Sequence, residues 1–296
     1  MVAQVRPRPS EKNLEGRVQI SRRIVANKGI FKNEFHQDEK YYICNSRRRK
    51  RKVQKSDKKG TEKVDHSHHR RHQTQVMFSG ACGVGPDGMP MKVHFEWICK
   101  ERKALRKSKY HKKGDVYYEN AMMTAEYYER DLNAIGKSIR SEYRKLGSSH
   151  ANTRVRLQID SAGGHGTAVG HGNFEKLAKM MLQKYNVELV QQPGNSPSFN
   201  IMDLTMWQAS QLEVDKMNGD DRCREDKLVE VCKAAWQSTP PVKILQAFEM
   251  RRDIANEAIE NDGWCETEGK GRGGSKRVHV HADYRRLRAR LGLPEP

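Results

Sequence analysis

The order of two hydrophobic periodicities along the chain constrains its fold more than any other feature of the sequence. Three consecutive segments show the strand-like alternation of apolar and polar residues, and helical segments then alternate with two further short strands. The predicted strands are residues 35–44, 75–82, 91–98, 154–160 and 187–191. The predicted helices are residues 124–146, 174–185, 202–217, 225–237 and 241–261.

Strand pairing follows from this order. Strands that succeed one another through a turn, such as the one at residues 85–88, favour antiparallel pairing, whereas a strand reached through a helix favours parallel pairing. We therefore predict an α/β fold with a mixed sheet, in which three antiparallel strands are followed by two parallel strands. Helices flank this sheet and further helices follow it. This is the element order of a ribonuclease H-like fold.

The charge of the chain predicts a polyanionic partner. It contains 56 Lys and Arg against 37 Asp and Glu, a formal net charge of +19, and nucleic acid is the commonest polyanion that such a field attracts. A membrane is the rival partner, but no apolar run approaches the roughly 20 residues that span a bilayer, and the start of the chain lacks a secretory signal. We therefore expect a soluble, intracellular chain. Its six cysteines include no Cys-x-x-Cys pair, which argues against a zinc ribbon or a disulfide framework.

Basic residues crowd the segment that directly follows the first predicted strand. The run consists of Arg47, Arg48, Arg49, Lys50, Arg51 and Lys52. We interpret it as a nuclear localisation signal or a phosphate-contacting loop, in preference to a merely solubilising run. The His-rich residues 66–72 could bind a metal, although their composition favours a solvated loop. Residues 46–73 are therefore predicted to form a basic insertion loop outside the core.

Three aspartates are candidates for chemistry. Asp38 lies on the first predicted strand, Asp160 ends the fourth, and Asp203 opens the helix after the fifth. A lone Asp in such a place is usually solvated or caps a helix, but parallel pairing of the first and fourth strands would set Asp38 beside Asp160. Converging carboxylates repel one another unless a cation neutralises them, and hard oxygen ligands select Mg²⁺ or Mn²⁺. Two such ions would activate a water and stabilise the leaving oxygen in a displacement at phosphorus.

Three ordered motifs around these residues resemble the mariner-type DNA transposases. Residues 38–41, Asp-Glu-Lys-Tyr, are similar to the Asp-Glu-Lys-Trp signature around the first catalytic Asp of that family. Residues 160–165, Asp-Ser-Ala-Gly-Gly-His, resemble its Asp-Asn-Ala-x-x-His motif. Residues 192–204 are similar to the Pro-x-Asn-Ser-Pro-Asp-x-Asn-x-x-Asp-Leu block of the plant-type branch, whose last carboxylate is Asp.

The resemblance implies a reaction and its participants. The family nicks DNA at transposon ends and then lets the freed 3′-hydroxyl attack target DNA. Carried over, Asp38, Asp160 and Asp203 would hold two Mg²⁺ or Mn²⁺ ions, and His165 would help to position a phosphate or a water. A homodimer that binds transposon ends and target DNA in the nucleus is expected.

A division of the chain into four parts is also expected. These are an N-terminal helical remnant or linker at 1–30, a ribonuclease H-like catalytic domain at 31–218, C-terminal helices packed on it at 219–263, and a basic, weakly ordered tail at 264–296.

Two alternatives stay open at the level of sequence. A non-catalytic or domesticated DNA-binding descendant of a transposase would keep the fold and the charge, and a structure-directed nuclease would cut DNA without joining it. Family members carry helix-turn-helix modules upstream of the first catalytic Asp, where this sequence has 37 residues. Specific recognition of transposon ends by this chain alone is therefore not expected.

Two further sequence signals indicate structural roles. Residues 83–88 match Gly-x-Gly-x-x-Gly, but Pro86 and the strand that follows indicate a hairpin turn and not a dinucleotide loop, so no small-molecule cofactor is expected. Trp207 and Trp236 have helical spacing with apolar neighbours and are predicted to lie in the core.

Overall fold

The helices and strands alternate along the chain as the periodicities predict. The computed structural model describes residues 10–27, 31–43, 74–160, 173–217 and 224–265. Its strands are β1 (Glu34–Ile43), β2 (Gln75–Val84), β3 (Pro90–Trp97), β4 (Cys99–Lys103), β5 (Val116–Asn120), β6 (Val155–Ile159) and β7 (Val187–Gln191). Its helices are α1 (Glu11–Ala26), α2 (Ala125–Lys145), α3 (Asn173–Tyr185), α4 (Trp207–Met217), α5 (Glu225–Ser238) and α6 (Val242–Glu260). A 3-10 turn, Pro197–Phe199, and a π-helical turn, Met202–Met206, precede α4.

The main sheet confirms the predicted mixed topology. It has five strands in the order β3-β2-β1-β6-β7. Strand β2 pairs antiparallel with both β1 and β3, whereas β6 pairs parallel with both β1 and β7. Three antiparallel strands are thus joined to two parallel strands, as in a ribonuclease H-like fold.

Helices cover both faces of this sheet. On one face, strand residues such as Tyr42 and Phe78 pack with α1, α4, α5 and α6. On the other face, Phe35 and Leu157 pack with α2 and α3. Successive strand residues point to opposite faces, so β1, β2 and β3 supply residues to both apolar clusters, whereas β6 and β7 supply residues to the second cluster. The molecule therefore has three layers. Among the described residues, no helix is both long and apolar enough to cross a membrane.

Helix α2 shows how local sequence fixes the ends of an element. The Thr124 hydroxyl accepts a hydrogen bond from the backbone N–H of Tyr127 at 3.2 Å, which satisfies one of the free donors of the first turn. Gly147 follows the last turn with φ of +120°, a conformation that a side chain would oppose. Both residues were predicted as the start and stop of this helix, and both predictions are confirmed.

The two-stranded sheet of β4 and β5 has no counterpart in the sequence prediction. Strand β4 is mostly exposed and charged, and no residue of β5 is fully buried, so the pair lacks the apolar alternation that reveals a strand. Cross-strand ion pairs replace burial, because the Glu119 carboxylate lies 2.6 Å from Arg102 Nε and 3.1 Å from Lys100 Nζ. The sequence does not predict this hairpin, because a periodic apolar pattern arises only where one face of a strand is buried.

Parts of the predicted organisation fall outside the described residues. These are the basic insertion loop at residues 46–73 and residues 266–296 of the tail. The four-part division of the chain stays a prediction. Within the described residues, α1, α5 and α6 share one apolar cluster with the sheet.

A buried ion pair ties α6 to the start of β1. The Arg251 guanidinium contacts the Glu34 carboxylate, and Arg251 Nη2 donates to Gln158 Oε1 at 2.9 Å. Burial acts to raise the pKa of Glu34, but the charge of Arg251 and the hydrogen bond from His36 outweigh it and hold that pKa at about 2. Burial, then the charge of Arg251, lower the pKa of His36 to about 4, so its ring is neutral at neutral pH.

Replacing Arg251 should expose the cost of leaving Glu34 buried without its partner. Arg251→Met is expected to lower the free energy of unfolding by about 3 kcal/mol at neutral pH. The folded pKa of Glu34 lies below its ordinary value of 4.5, so the contribution of the pair is present above that value and is lost as the pH falls towards 2. Urea unfolding of both proteins across this range should therefore show the difference shrinking. The exposed Arg22→Met is the control, and a difference that is constant with pH would contradict the assignment.

A glycine pair tests how tightly α2 packs on α3. A Cβ on Gly136 would lie 2.5 Å from Cδ2 of the Tyr185 ring, whereas a Cβ on Gly16 in α1 would meet Pro193 only at 3.4 Å. Gly136→Ala should therefore destabilise the chain by about 1–3 kcal/mol through overpacking, despite the higher helix propensity of Ala. Gly16→Ala should instead stabilise it by about 0.5–1 kcal/mol. Thermal unfolding that ranked the two variants in the opposite order would contradict this packing.

Candidate metal centre at one edge of the sheet

Asp38 lies in the middle of β1 and faces the helices that follow the sheet. The indole Nε1 of Trp207, the first residue of α4, donates to Asp38 Oδ2 at 2.7 Å. On the same side of the strand, two residues before and four residues after Asp38, His36 and Tyr42 pack in that helical layer. The carboxylate is only partly buried, so it is fixed by Trp207 and still accessible on the other side.

Asp160 reaches Asp38 through the parallel pairing of β1 and β6. The register sets Glu34 beside Arg156 and His36 beside Gln158, and continuing it by two residues brings Asp160 next to Asp38. One carboxylate oxygen each of Asp38, Glu39 and Asp160 lie within 4.8 Å of one another. The sheet therefore brings together two of the three aspartates that the sequence singled out, and it adds a glutamate that the sequence did not single out.

Asp203 lies in the π-helical turn before α4. It lines an open pocket together with Glu39, Lys40, Tyr41 and Trp207. Asp203 is outside the group of three carboxylates that meet within 4.8 Å, but it is close enough for its charge to act on Asp38. Its side chain thus approaches the cluster from the helical layer. A π-helical turn is rare and often lies at a functional site, where it re-aims a side chain.

The electrostatics of the site disfavour the negative charge of Asp38 as long as no cation is bound. Burial is the largest cause that raises the pKa of its carboxyl well above the ordinary value, followed by the charges of Asp203 and Glu39. The hydrogen bond from Trp207 acts in the opposite direction, and Asp160 adds a smaller rise. Burial likewise lowers the pKa of Lys40, although the charges of Asp203 and Asp38 oppose that change. A site of this kind favours the binding of a cation.

Glu39 is held from the opposite face of the sheet by a buried chain of side chains. Gln37 Nε2 donates to Glu39 Oε1 at 2.6 Å, and the hydroxyl of Tyr128 on α2 donates to Gln37 Oε1 at 2.9 Å. Gln37 Nε2 also reaches Ser79 Oγ at 3.3 Å, and Ser79 in turn donates to the Asp131 carboxylate at 2.6 Å. These contacts limit the freedom of the Glu39 carboxylate.

The third motif mostly builds the loop that carries Asp203. The buried Arg17 of α1 donates to the Asn195 carbonyl at 2.6 Å and to Ser196 Oγ at 2.9 Å. Asn200 Nδ2 donates to the Gln37 carbonyl at 3.2 Å, and Asn200 Oδ1 accepts from the backbone N–H of Met202 at 3.0 Å. Asn200 therefore connects β1 directly to the first turn that contains Asp203.

Gly80 makes the room that Trp207 needs beside Asp38. It lies opposite Asp38 on β2. A Cβ at this position would lie 2.7 Å from Cη2 of the Trp207 indole and 3.1 Å from Cε of Met202. The indole therefore packs on bare backbone, which lets its Nε1 reach the carboxylate.

Some of the predicted site residues lie within the described part of the chain and others lie outside it. His165 and the basic run at residues 47–52 lie outside the described residues. Trp207 is in the core as predicted, with 4% of its surface exposed, but it also binds Asp38. Its position four residues after Asp203 on a helical segment was the signal that could have linked it to the site. Glu39 could have been suspected only from its place next to Asp38 in the first motif.

Removing one negative charge from the cluster should stabilise the chain when divalent ions are absent. Asp38→Asn keeps the shape and an acceptor for Trp207 while it relieves the repulsion from Asp203 and Glu39. We expect a rise of about 1 kcal/mol in the free energy of unfolding, as is common where a functional site is strained. Urea unfolding in a chelator measures it, with the exposed Glu230→Gln of α5 as the charge-matched control. An equal change in both variants would show that Asp38 is not under strain.

The folds of known proteins agree with this architecture. The crystal structure of the catalytic domain of Mos1 mariner transposase aligns with a TM-score of 0.57 and 11% identity, over 88% of this chain and 100% of that one. A Mos1 mariner paired-end complex with Mn gives a TM-score of 0.61 at 12% identity, over 89% of this chain and 66% of the Mos1 chain. A pre-cleavage Mos1 transpososome gives 0.61 at 15% identity, over 90% and 67%.

Sequence comparison alone gives no such likeness. No protein-family model matches the chain, and no curated protein matches it significantly. The identities to Mos1 are low, so the likeness concerns the fold, and the chain spans about two thirds of the longer Mos1 chains. The chain has the ribonuclease H-like fold of a mariner transposase catalytic domain.

Proposed function

We propose that this chain is the catalytic part of a DNA transposase, which cuts DNA and joins the freed 3′-hydroxyl to target DNA. The observation that carries the proposal is the meeting of the Asp38 and Asp160 carboxylates within 4.8 Å, with Asp203 close enough to act on Asp38. The fold shared with the Mos1 catalytic domain supports it. The net charge of +19 suits a DNA substrate.

The donor set fits a hard divalent cation. Among the described residues the cluster offers carboxylate oxygens and no thiolate or imidazole, which is the ligand chemistry that Mg²⁺ and Mn²⁺ prefer. We assign Asp38, Asp160 and Asp203 as the residues that would hold two such ions, with Glu39 as a neighbouring carboxylate. Mos1 structures with Mn and with Mg are consistent with that choice. When bound, the ions would activate the attacking oxygen and stabilise the leaving oxygen of each step.

The residues of this chain prepare the site for that chemistry. Trp207 holds one oxygen of Asp38 and leaves the other free, and Gln37 holds Glu39. Such fixed hydrogen bonds orient ligands before an ion or substrate arrives. Lys40 lines the pocket beside Asp203, so its ammonium group would bind a DNA phosphate next to the carboxylates.

The partners of the reaction are part of the same proposal. Transposon ends and target DNA would be the substrates, as the Mos1 paired-end and strand transfer complexes suggest for their own protein. A homodimer and a location in the nucleus rest on the sequence resemblance and on the basic run at residues 47–52.

Strand cleavage is the direct test of this function. The wild-type chain should nick supercoiled plasmid DNA when Mg²⁺ or Mn²⁺ is added and should not do so in a chelator. Asp160→Asn, which removes a charge and keeps the side-chain shape, should reduce nicking to background because a ligand is lost. The exposed Glu230→Gln should nick as the wild type does. Equal nicking by wild type and Asp160→Asn would remove the enzymatic claim.

Strand joining separates a transposase from a nuclease of the same fold. A labelled DNA end with a free 3′-hydroxyl should become joined to plasmid DNA, whereas the same end with a 3′-deoxy terminus should not. Cutting without any joined product would favour the structure-directed nuclease. DNA binding without cutting would favour the non-catalytic descendant.

A further inference from the structure

The hairpin of β4 and β5, residues 99–120, carries positive charge that the carboxylate site does not use. It contains eight Lys and Arg against three acidic residues. Most of its side chains are exposed, including those of Arg106, Lys107 and Lys109 in the connection between the strands. We refer to residues 99–120 as the basic hairpin.

Two of the three acidic residues of the basic hairpin have partners within it. Glu119 is paired with Arg102 and Lys100 across the two strands. The Asp115 carboxylate accepts from the backbone N–H of Lys112 at 2.6 Å. Within the described part of the chain, Arg106, Lys107 and Lys109 form no ion pair, so their charges are available to a partner.

The connection between the strands is held in a defined shape. Ser108 Oγ accepts from the backbone N–H groups of Tyr110 and His111 at 3.2 and 3.0 Å. The ring of His111 stacks on Tyr117 at a centroid distance of 4.3 Å. Backbone hydrogen bonds between Ala104 and both Gly114 and Asp115 close the loop, each at 2.8 Å. Because the loop is already ordered, less conformational entropy would be lost when its side chains bind a partner.

The base of the basic hairpin is fixed to the main sheet. Asn120 Oδ1 accepts from Trp97 Nε1 at 2.7 Å and from the backbone N–H of Met77 at 3.3 Å, and its amide donates to the Gln75 carbonyl. The Ala121 N–H donates to the Ile98 carbonyl at 3.0 Å. The hairpin therefore has a fixed origin at the start of β2 and the end of β3.

That origin lies at the same edge of the sheet as the carboxylates. Strand β3 is antiparallel to β2, which is antiparallel to β1, so β1 and β3 run in the same direction and end at the same edge. Asp160 follows the end of β6, which is parallel to β1. Two strand spacings, or roughly 10 Å, separate β3 from β1. A duplex at the carboxylates would therefore extend past the base of the hairpin.

We propose that the basic hairpin is a DNA-binding arm, whose Arg106, Lys107 and Lys109 contact the phosphate backbone of the duplex beside the carboxylate site. The inference deepens the proposed function and rests on it. Unpaired cations on an ordered loop, next to a site for phosphate chemistry, match a polyphosphate backbone. The contacts are to phosphates, so this arm binds without regard to base sequence.

A membrane surface fits the same residues less well. Leu105 is 83% exposed in the connection between the strands, and Val116 and Tyr118 are 55% and 53% exposed on β5. These scattered side chains do not form the continuous apolar face of a helix that inserts into a membrane surface. The neighbouring Tyr110 is 58% exposed, and Lys109 and Arg224 lie over its ring at 5.3 and 5.1 Å from the centroid. These cations cover the Tyr110 ring, so its apolar surface is not available for insertion into a bilayer, whereas the positive charge suits a phosphate backbone.

The salt dependence of DNA binding tests the arm. The triple variant Arg106→Gln, Lys107→Gln, Lys109→Gln in the full chain should bind a labelled duplex of arbitrary sequence more weakly than wild type. The slope of log Kd against log salt concentration should become shallower by about 3, roughly one for each lost phosphate contact. Fluorescence anisotropy at several salt concentrations measures both quantities, and a thermal melt confirms that the exposed substitutions leave the fold intact.

The control removes the same charge from the opposite edge of the sheet. Lys137, Arg144 and Lys145 are exposed on α2, whose last turns lie near the start of β1, where Tyr143 OH donates to Asn33 Oδ1 at 3.0 Å. Their combined change to Gln should leave the salt slope within about 1 of wild type. Equal slopes for the hairpin variant and the control would overturn the proposal. So would loss of binding to phosphatidylserine vesicles with DNA binding unchanged.

The two proposals fail in different ways. If the wild type does not nick DNA but the hairpin variant loses DNA affinity, the proposed catalysis fails and the arm stands. If the wild type nicks DNA and the hairpin variant binds with the wild-type slope, the arm fails and catalysis stands.

Discussion

Parallel pairing between β1 and β6 is the interaction on which the candidate site depends. It sets the backbone of residue 38 beside that of residue 160, although more than a hundred residues separate them in the chain. The crossover through α2 makes this pairing possible. The Arg140 guanidinium of α2 holds the connection between α2 and β6 by donating to the Ala151 and Thr153 carbonyls, each at 2.9 Å. A slip of one residue would turn Asp160 to the other face of the sheet. The apolar Val155, Leu157 and Ile159, all buried against α2 and α3, prevent that slip.

Gathering carboxylates in one place costs stability, and the surroundings of the site offset that cost. Asp38 is held by an indole that packs on a glycine, and Glu39 is held by an amide that α2 fixes from behind. Each supporting group lies in one of the two apolar clusters or at its border. The helical layers therefore bury the sheet, and they also position hydrogen-bond donors next to the carboxylates of Asp38 and Glu39. Rigid donors of this kind keep ligands oriented in the absence of an ion.

The third motif, residues 192–204, combines a candidate metal ligand with residues that only hold the loop in place. Within residues 192–204 only Asp203 is a candidate ligand, whereas Asn195, Ser196 and Asn200 hold the loop. The loop needs these residues because it leaves β7, crosses the end of the sheet and starts a helix within a few residues. Arg17 binds it from α1, far away in sequence. A helix outside the sheet thus helps to define where Asp203 lies.

Periodicity and local capping determined much of this protein from the sequence alone. The strand and helix order, the mixed topology and the ends of α2 follow from residue spacing, because burial imposes a period on whichever residues face the core. The three ordered motifs identified Asp38, Asp160 and Asp203 as candidates. Only the tertiary structure decided that Glu39 joins the cluster, that Trp207 binds Asp38 and that an exposed basic hairpin leaves the same edge. These depend on contacts between residues distant in sequence and on an element without buried alternation, and neither leaves a periodic mark in the chain.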